Sequence, residues 1–304
     1  MKIQSRLLPF YALICALLWG TAFPAIKYVY RIWPESQQWD SRMLFAGIRF
    51  MVAGLILMPL VRRGGLLKQL KKANLRLLLA LALTQTFAQY LFFYMGLSLS
   101  SGVLGALMIS CGSFWWILLS PLLLKTPKPD AHHWAMLLFC ALGIVVAVYK
   151  PGIGSGSPLL GALCFLAATL NGALGLIILK PLHRTLDSAT ATAFSLFIGG
   201  VLLVTAGSRA LPELGVFLNP RLAGMTLYLA FVSAAAFVLW NRLAREFSIN
   251  ILAGYRFLIP LAGITLSSLL IPNEKPGTGI YLGAVLILGS LFYVNYVDRK
   301  STVS

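Results

Sequence analysis

Apolar positions along the chain fall in ten long blocks, roughly 7–29, 43–61, 75–97, 100–124, 132–149, 157–180, 188–207, 221–243, 249–271 and 279–297. The gaps between them are short and polar, or rich in Gly and Pro. Each block approaches or exceeds the ~17–25 residues an α-helix needs to cross about 30 Å of hydrocarbon. The pattern predicts an all-α integral membrane protein with ten transmembrane helices and leaves no room for a soluble domain. Leu7 to Val29 is too long for the core of a signal peptide and nine further blocks follow it, so it is expected to be helix 1.

The blocks form two matching sets of five. Adding 147 to a residue number carries Asp40-Ser41 onto Asp187-Ser188, Ala46 onto Ala193, Leu75 onto Leu222, Ser101 onto Ser248, Ala106 onto Ala253 and Lys128-Pro129 onto Lys275-Pro276. The register slips in the first helix of each half, where Gly20 matches Gly172 only at another offset. Five crossings are an odd number, so a second copy enters the membrane from the opposite side. The expectation is two inverted five-helix repeats, residues 1–150 (helices 1–5) and 151–304 (helices 6–10). Secondary transporters use such halves to expose a midplane site to either face in turn; an old duplication kept only for packing gives the same pattern.

Composition agrees: 59% of residues are hydrophobic and 11% charged, as expected for a chain solvated by lipid. The net charge of +17 raises the question of nucleic acid, and its distribution answers it. With a cytoplasmic N-terminus, sixteen of the 25 Lys and Arg lie on the inner side and seven on the outer, and Arg49 and Arg256 fall within blocks. That asymmetry is the positive-inside rule, so both termini are expected in the cytoplasm. The dense run Arg62 to Arg76 reads as a topology anchor against anionic lipid, with no nucleic acid involved. Cys15, Cys111, Cys140 and Cys164 lie in apolar blocks and are expected to be packing residues.

Helix 1 carries Trp19-Gly20-Thr21-Ala22-Phe23-Pro24-Ala25-Ile26-Lys27, helix 2 Leu44-Phe45-Ala46-Gly47-Ile48-Arg49-Phe50 and helix 9 Tyr255-Arg256-Phe257-Leu258-Ile259-Pro260, followed by Glu274 and the glycines Gly279, Gly283 and Gly289. In this order the motifs resemble those of the EamA-type members of the drug/metabolite transporter superfamily. The resemblance spans essentially the whole chain. It implies two five-helix halves, the first four helices of each lining a central cavity and the fifth at the periphery. This chain departs from the pattern at Lys125-Thr126, where the family often has Glu, and at Asn171-Gly172, where a Trp-Gly is expected.

Breaks in the blocks mark candidate hinges. Gly20 and Pro24 weaken helix 1, Pro121 the end of helix 4 and Pro260 helix 9, because each proline removes a hydrogen bond that lipid cannot replace. Gly20, Pro24 and Pro260 are the hinge candidates; a static kink is the other reading. Arg49 and Arg256 are the costliest side chains, at ~2.5–3.5 kcal/mol each near a helix centre. None of the eight acidic residues lies well inside a block. Their partners are then backbone carbonyls, broken helix ends or an incoming anion, unless they snorkel to an interface or cap a structural network.

Other polar groups within blocks form a set. Gln85 and Gln89 are four residues apart and share a helix face, with Tyr90 and Tyr94 on an adjacent stripe. Ser110 and Trp115 lie in helix 4, Asn171 in helix 6 and Tyr255 in helix 9. Interhelical hydrogen bonds and aromatic anchoring account for any one of them. Together with Trp19, Thr21, Arg49 and Arg256 they outline a polar, aromatic-lined substrate site suited to a small organic solute.

Signs of an enzyme are missing. There is no Walker-type loop, no cofactor is expected, and His132-His133 have no nearby Cys or carboxylate at ligand spacing, so no metal is expected either. Gly279 and Gly283 have the spacing of close helix packing, within the chain or at a homodimer face. The favoured reading is a secondary transporter that moves a small metabolite, an amino acid or related compound, across the bacterial inner membrane. The resemblance implies export more often than import. The alternative is a membrane enzyme or flippase-like lipid-handling protein.

Overall fold

The computed structural model describes residues 4–61, 69, 74–124, 128–149, 152–153, 156–247, 252, 255–256 and 258–301. The long elements are α1 (Leu8–Ile32), α2 (Trp39–Leu60), α3 (Leu75–Leu99), α4 (Gly102–Leu124), α5 (Ala131–Tyr149), α6 (Pro158–Leu182), α7 (Ser188–Ala206), α8 (Pro220–Glu246), α9 (Leu258–Leu270) and α10 (Thr278–Ser301). The first eight are long and apolar enough to cross a membrane; α9 and the apolar stretch Thr278–Val294 of α10 are shorter. Much of the first half of the block 249–271 lies outside the described residues.

Helix starts follow local chemistry. Side chains of Asn74, Ser101, Asp187 and Asn219 accept a hydrogen bond from a backbone amide of the turn they precede, and Pro158 and Pro220 occupy first positions where no amide donor is needed. Two helices are irregular within: α3 widens to a π-helical stretch over Ala82–Ala88, and α4 tightens to a 3-10 turn over Ile109–Cys111. A 3-10 segment, Ser208–Leu218, joins α7 to α8, where the sequence predicts only a loop. A two-residue antiparallel ladder, β1 (Gly152–Ile153) with β2 (Lys275–Pro276), links the loops after α5 and α9, an addition to the expected all-α pattern.

The helices pair in a regular scheme. α2 packs on α7, α5 on α10, α1 on α8 and α9, and α6 on α3 and α4. Glycines bring the first two pairs together. A Cβ at Gly47 would meet Val204 and Gly200, one at Gly54 would meet Phe197, and one at Gly207 would meet Asp40 and Leu44. Rising numbers in α2 thus face falling numbers in α7, so the two run antiparallel. The α5/α10 pair does the same: Cys140 faces Ser290 at 3.3 Å, and Gly143 and Gly283 lie against each other's helix. Gly283 therefore packs within the chain. Large apolar side chains of α5 (Leu138, Val145) and α10 (Leu282, Val285) point outward.

Candidate functional site

A cavity of about 90 Å³ lies between helices of both halves, room for several waters or a small solute group. α1 supplies Trp19, Ala22 and Phe23, α2 supplies Arg49, and α3 supplies Gln85, Gln89, Tyr90 and Phe93. Ile109 enters from the 3-10 turn of α4, Gly172 and Leu176 from α6, Phe237, Trp240 and Asn241 from α8, and Arg256 and Ile259 from the start of α9. α5 and α10 contribute nothing to this wall, as the resemblance implies. α7 contributes nothing either, a departure from four lining helices per half; its Thr192 instead backs the wall by accepting from Asn241 Nδ2 at 2.8 Å.

Arg49 is buried and does not snorkel. Its Nε donates to Leu229 O and Ser233 Oγ, both at 3.2 Å, its second terminal nitrogen donates to Ser233 Oγ at 2.8 Å, and the first donates to Tyr94 OH at 2.8 Å. The guanidinium also lies 4.7 Å from the Phe50 ring centroid and 5.9 Å from that of Tyr90. Of the partners open to it from sequence a backbone carbonyl takes part, and the hydroxyl groups of Ser233 and Tyr94, which the sequence reading does not name as partners, supply the rest. Arg49 ties α2 to α3 and α8.

Arg256 is different. Pro260 cannot donate to the Arg256 carbonyl, which accepts from Ile259 N at 3.1 Å instead. The described helix begins only at Leu258, and Pro260 stands in its first turn rather than in mid-helix. Arg256 thus occupies the turn before α9. A Cβ at Gly112 of α4 would collide with its guanidinium, so that glycine makes its space. Among the described residues the Arg256 side chain has no hydrogen-bond or ion-pair partner, and its Nε is buried.

The amides divide in the same way. Gln85 is buried and faces Asn241 in two long reciprocal contacts, 3.5 and 3.4 Å. Gln89 rests over Gly172, where a Cβ would meet its Oε1 at 2.9 Å, and no described residue hydrogen-bonds its amide. The aromatic wall is interlocked: Trp19 meets Phe237 edge-on at 5.5 Å and Trp240 at 5.6 Å.

Of the site residues expected from sequence, Trp19, Arg49, Gln85, Gln89, Tyr90 and Arg256 come together on this wall. Five do not. Thr21 Oγ1 donates to Leu18 O at 2.8 Å and accepts from Tyr228 OH at 2.6 Å. Ser110 donates to Leu107 O within its own helix. Trp115 Nε1 donates to Leu166 O at 3.0 Å and Thr169 Oγ1 at 3.2 Å, binding α4 to α6. Asn171 Nδ2 donates to Ala167 O at 2.9 Å, leaving the wall to its neighbour Gly172. Tyr255 packs against an apolar cluster that contains Trp116 and Leu252. In each case a polar atom or ring is absorbed by the helix packing that the sequence pattern already allowed. Gly20 abuts Ala262 of α9, and Pro24 has no amide hydrogen to donate to the Gly20 carbonyl four residues back.

The sequence places Lys27 and Glu274 in separate motifs without pairing them. Glu274 is buried at the end of the loop before α10; Lys27 Nζ lies 3.3 Å from its Oε1 and donates to Ser100 O at 2.7 Å. Glu274 Oε2 accepts from Gly102 N at 2.7 Å, at the first turn of α4. Elsewhere, Asp130 sits beside His132 and His133, with ligand atoms within 4.8 Å of one another. The sequence expectation that these histidines lack a carboxylate neighbour is corrected on that point; Asp130 N donates to His133 Nδ1 at 3.3 Å.

The model of the EamA-like transporter family matches residues 7–149 and 159–296. The chain is similar to a probable amino-acid metabolite efflux pump of Escherichia coli (strain K12), 26% identical over 93% of each chain. It is also similar to an uncharacterized transporter of Bacillus subtilis (strain 168), 25% identical over 92% of this chain and 88% of that one. A solved crystal structure superposes with a TM-score of 0.67 at 14% identity, covering 96% of this chain and 97% of that one, which extends the likeness to the fold.

Proposed function

This multi-pass membrane protein belongs to the EamA-like transporter family, and from that premise we propose that it is a secondary transporter working by alternating access around the cavity between its halves. The observation that carries the reading is that cavity: a wall drawn from seven helices, with Arg256 and Gln89 turned to it and without a protein partner among the described residues. A packing defect would not keep two unsatisfied polar side chains in an apolar bundle.

The architecture proposed is two inverted five-helix repeats, 1–150 and 151–304. The antiparallel α2/α7 and α5/α10 pairs support it, since equivalent helices of oppositely inserted halves must run antiparallel. So does a family match that falls in two stretches divided near residue 150. Gly20 and Pro24 are the hinge within α1. The cargo is a small metabolite, an amino acid or related compound, moved outward across the inner membrane with both termini in the cytoplasm. The Escherichia coli relative, matched over 93% of its length and described as a probable amino-acid metabolite efflux pump, supports the cargo and the direction. No Asp, Glu or His lines the cavity among the described residues, which favours exchange or facilitated diffusion over proton antiport.

The test is flux. Liposomes containing this chain alone and loaded with labelled amino-acid metabolites should lose label faster than empty ones and should exchange it for external solute. Lipid scrambling or lipid turnover without solute flux would establish the membrane-enzyme or flippase-like alternative instead.

A further inference from the structure

We propose that the cavity selects organic anions that carry a carboxylate and lack a fixed positive charge, with Arg256 as the carboxylate receptor. This rests on the reading of the cavity as the substrate site and narrows the class of cargo. Two guanidinium groups reach the wall and no carboxylate does, among the described residues. Arg49 spends its donors on Leu229, Ser233 and Tyr94. Arg256 spends none.

A guanidinium presents a planar fork of N–H donors that matches a carboxylate with two parallel bonds. Left unpaired in an apolar bundle it is costly, so the site gains most from a ligand that brings the missing acceptor. The turn that Pro260 imposes holds Arg256 at the positive end of α9, whose dipole adds to the same field. Gln89 is placed to bond a second polar group, and Trp19, Phe93, Phe237 and Trp240 offer faces to an aromatic or aliphatic body.

The same inventory disfavours an α-ammonium group. The oxygens that could receive one are amide and hydroxyl oxygens of Gln85, Gln89, Asn241 and Tyr90, while both charged groups repel it. A zwitterionic amino acid would satisfy Arg256 and leave its ammonium uncompensated. A 2-oxo acid or an N-acylated amino acid satisfies Arg256 without that penalty.

Phenylpyruvate, phenylalanine and phenethylamine share one aromatic body and differ in charge, so they separate these cases. Binding to the purified full-length protein in detergent is read by thermal shift, and flux of the same compounds is read in liposomes. Phenylpyruvate should raise the melting temperature and the other two should not. Arg256→Gln should weaken phenylpyruvate binding by about tenfold to a hundredfold, and Arg256→Lys by less. If Arg256→Gln does not fold, Gly112→Ala serves in its place: the added methyl displaces the guanidinium and should weaken binding in the same direction. Equal binding of phenylalanine and phenylpyruvate overturns the selectivity and leaves the transporter reading intact. Unchanged binding in a folded Arg256→Gln or Gly112→Ala protein overturns the receptor role, and so does a failure of all three probes to bind. Arg256-dependent binding without flux sustains the inference and defeats the transporter reading.

Discussion

Lys27 of α1 and Glu274 of the loop before α10 form an ion pair at 3.3 Å in which both side chains are largely withdrawn from solvent, 18% and 6% exposed. The pair is also the meeting point of two chain turns, because Lys27 donates to Ser100 at the end of α3 and Glu274 accepts from the first amide of α4. Removing one charge leaves the other buried without a counter-ion, which costs more than the pair itself contributes. Glu274→Gln should therefore lower stability by on the order of 3 kcal/mol. The double variant Lys27→Met with Glu274→Gln should recover part of that loss. Additive losses in a double-mutant cycle of thermal unfolding would show the two residues to be uncoupled.

The Arg49 network behaves as scaffold. Tyr94→Phe takes away one buried acceptor and should cost about 1–3 kcal/mol, and Ser233→Ala, which removes the acceptor of two bonds, should cost at least as much. Both should reduce the yield of folded protein before they change selectivity among transported solutes. A selectivity change at unaltered melting temperature would place Arg49 in direct contact with cargo.

Gln85 and Gln89 should separate, although the same spacing argument introduced both. Gln85 is buried and engaged with Asn241, so Gln85→Ala should lower the melting temperature. Gln89 has no protein partner among the described residues, so Gln89→Ala should cut flux and leave the melting temperature within a few degrees of the parent. Identical outcomes at both positions would contradict this division.

His183 follows α6 and is the group outside the helices that should imprint itself on pH dependence. Burial, with Arg245 nearby, pushes it down to about 4 from an ordinary 6.5. Between those values the unfolded chain binds a proton that the folded chain refuses, so stability falls as pH drops from 6.5 toward 4 and levels off below. His183→Gln should flatten that interval in a melting-temperature profile taken across pH 4 to 7. A parent profile already flat over this range would rule out the burial effect.

Topology can be read with an impermeant thiol reagent in a background where Cys15, Cys111, Cys140 and Cys164 are replaced. Cysteine at Gln37 or Thr278 should label from outside intact cells, and cysteine at Thr185 should not. The opposite pattern would reverse the orientation inferred from the Lys and Arg count.

Hydrophobic spacing located the helices well because lipid forces every backbone group to be satisfied within its own segment. It located α1 to α8 to within a few residues; for α9, much of the first half of the block lies outside the described residues, and the described helix runs Leu258–Leu270. Side-chain partnership was harder. Trp115 and Asn171 are polar within apolar blocks in the same sense as Gln89, yet each finds a partner on its own or a neighbouring helix, a fact fixed by packing and not by spacing. Lys27 and Glu274 both stand in motifs that the sequence singled out, but nothing in the sequence pairs them across 247 residues until the fold brings them together. Arg49 and Arg256 were equally conspicuous in the sequence, and only the bonds around them separate a side chain tied to three residues from one with no hydrogen-bond partner among the described residues.

The wide turn over Ala82–Ala88 sets the phase between the two ends of α3. Leu78 and Leu81, before it, pack into the apolar cluster around Leu8 and Cys15. Tyr94, which holds Arg49, and Gln89 and Tyr90, which face the cavity, come after it. One residue corresponds to about 100° of rotation in a regular α-helix, and an i→i+5 turn accommodates a residue that the α repeat would not. A regular helix through this stretch could seat either the leucines or the polar face, and not both. Deleting one residue between 82 and 88 would let the stretch close into a regular α-helix with both faces still seated, whereas inserting a further one would leave the hydropathy of the block nearly untouched and swing the side chains beyond it by about 100°.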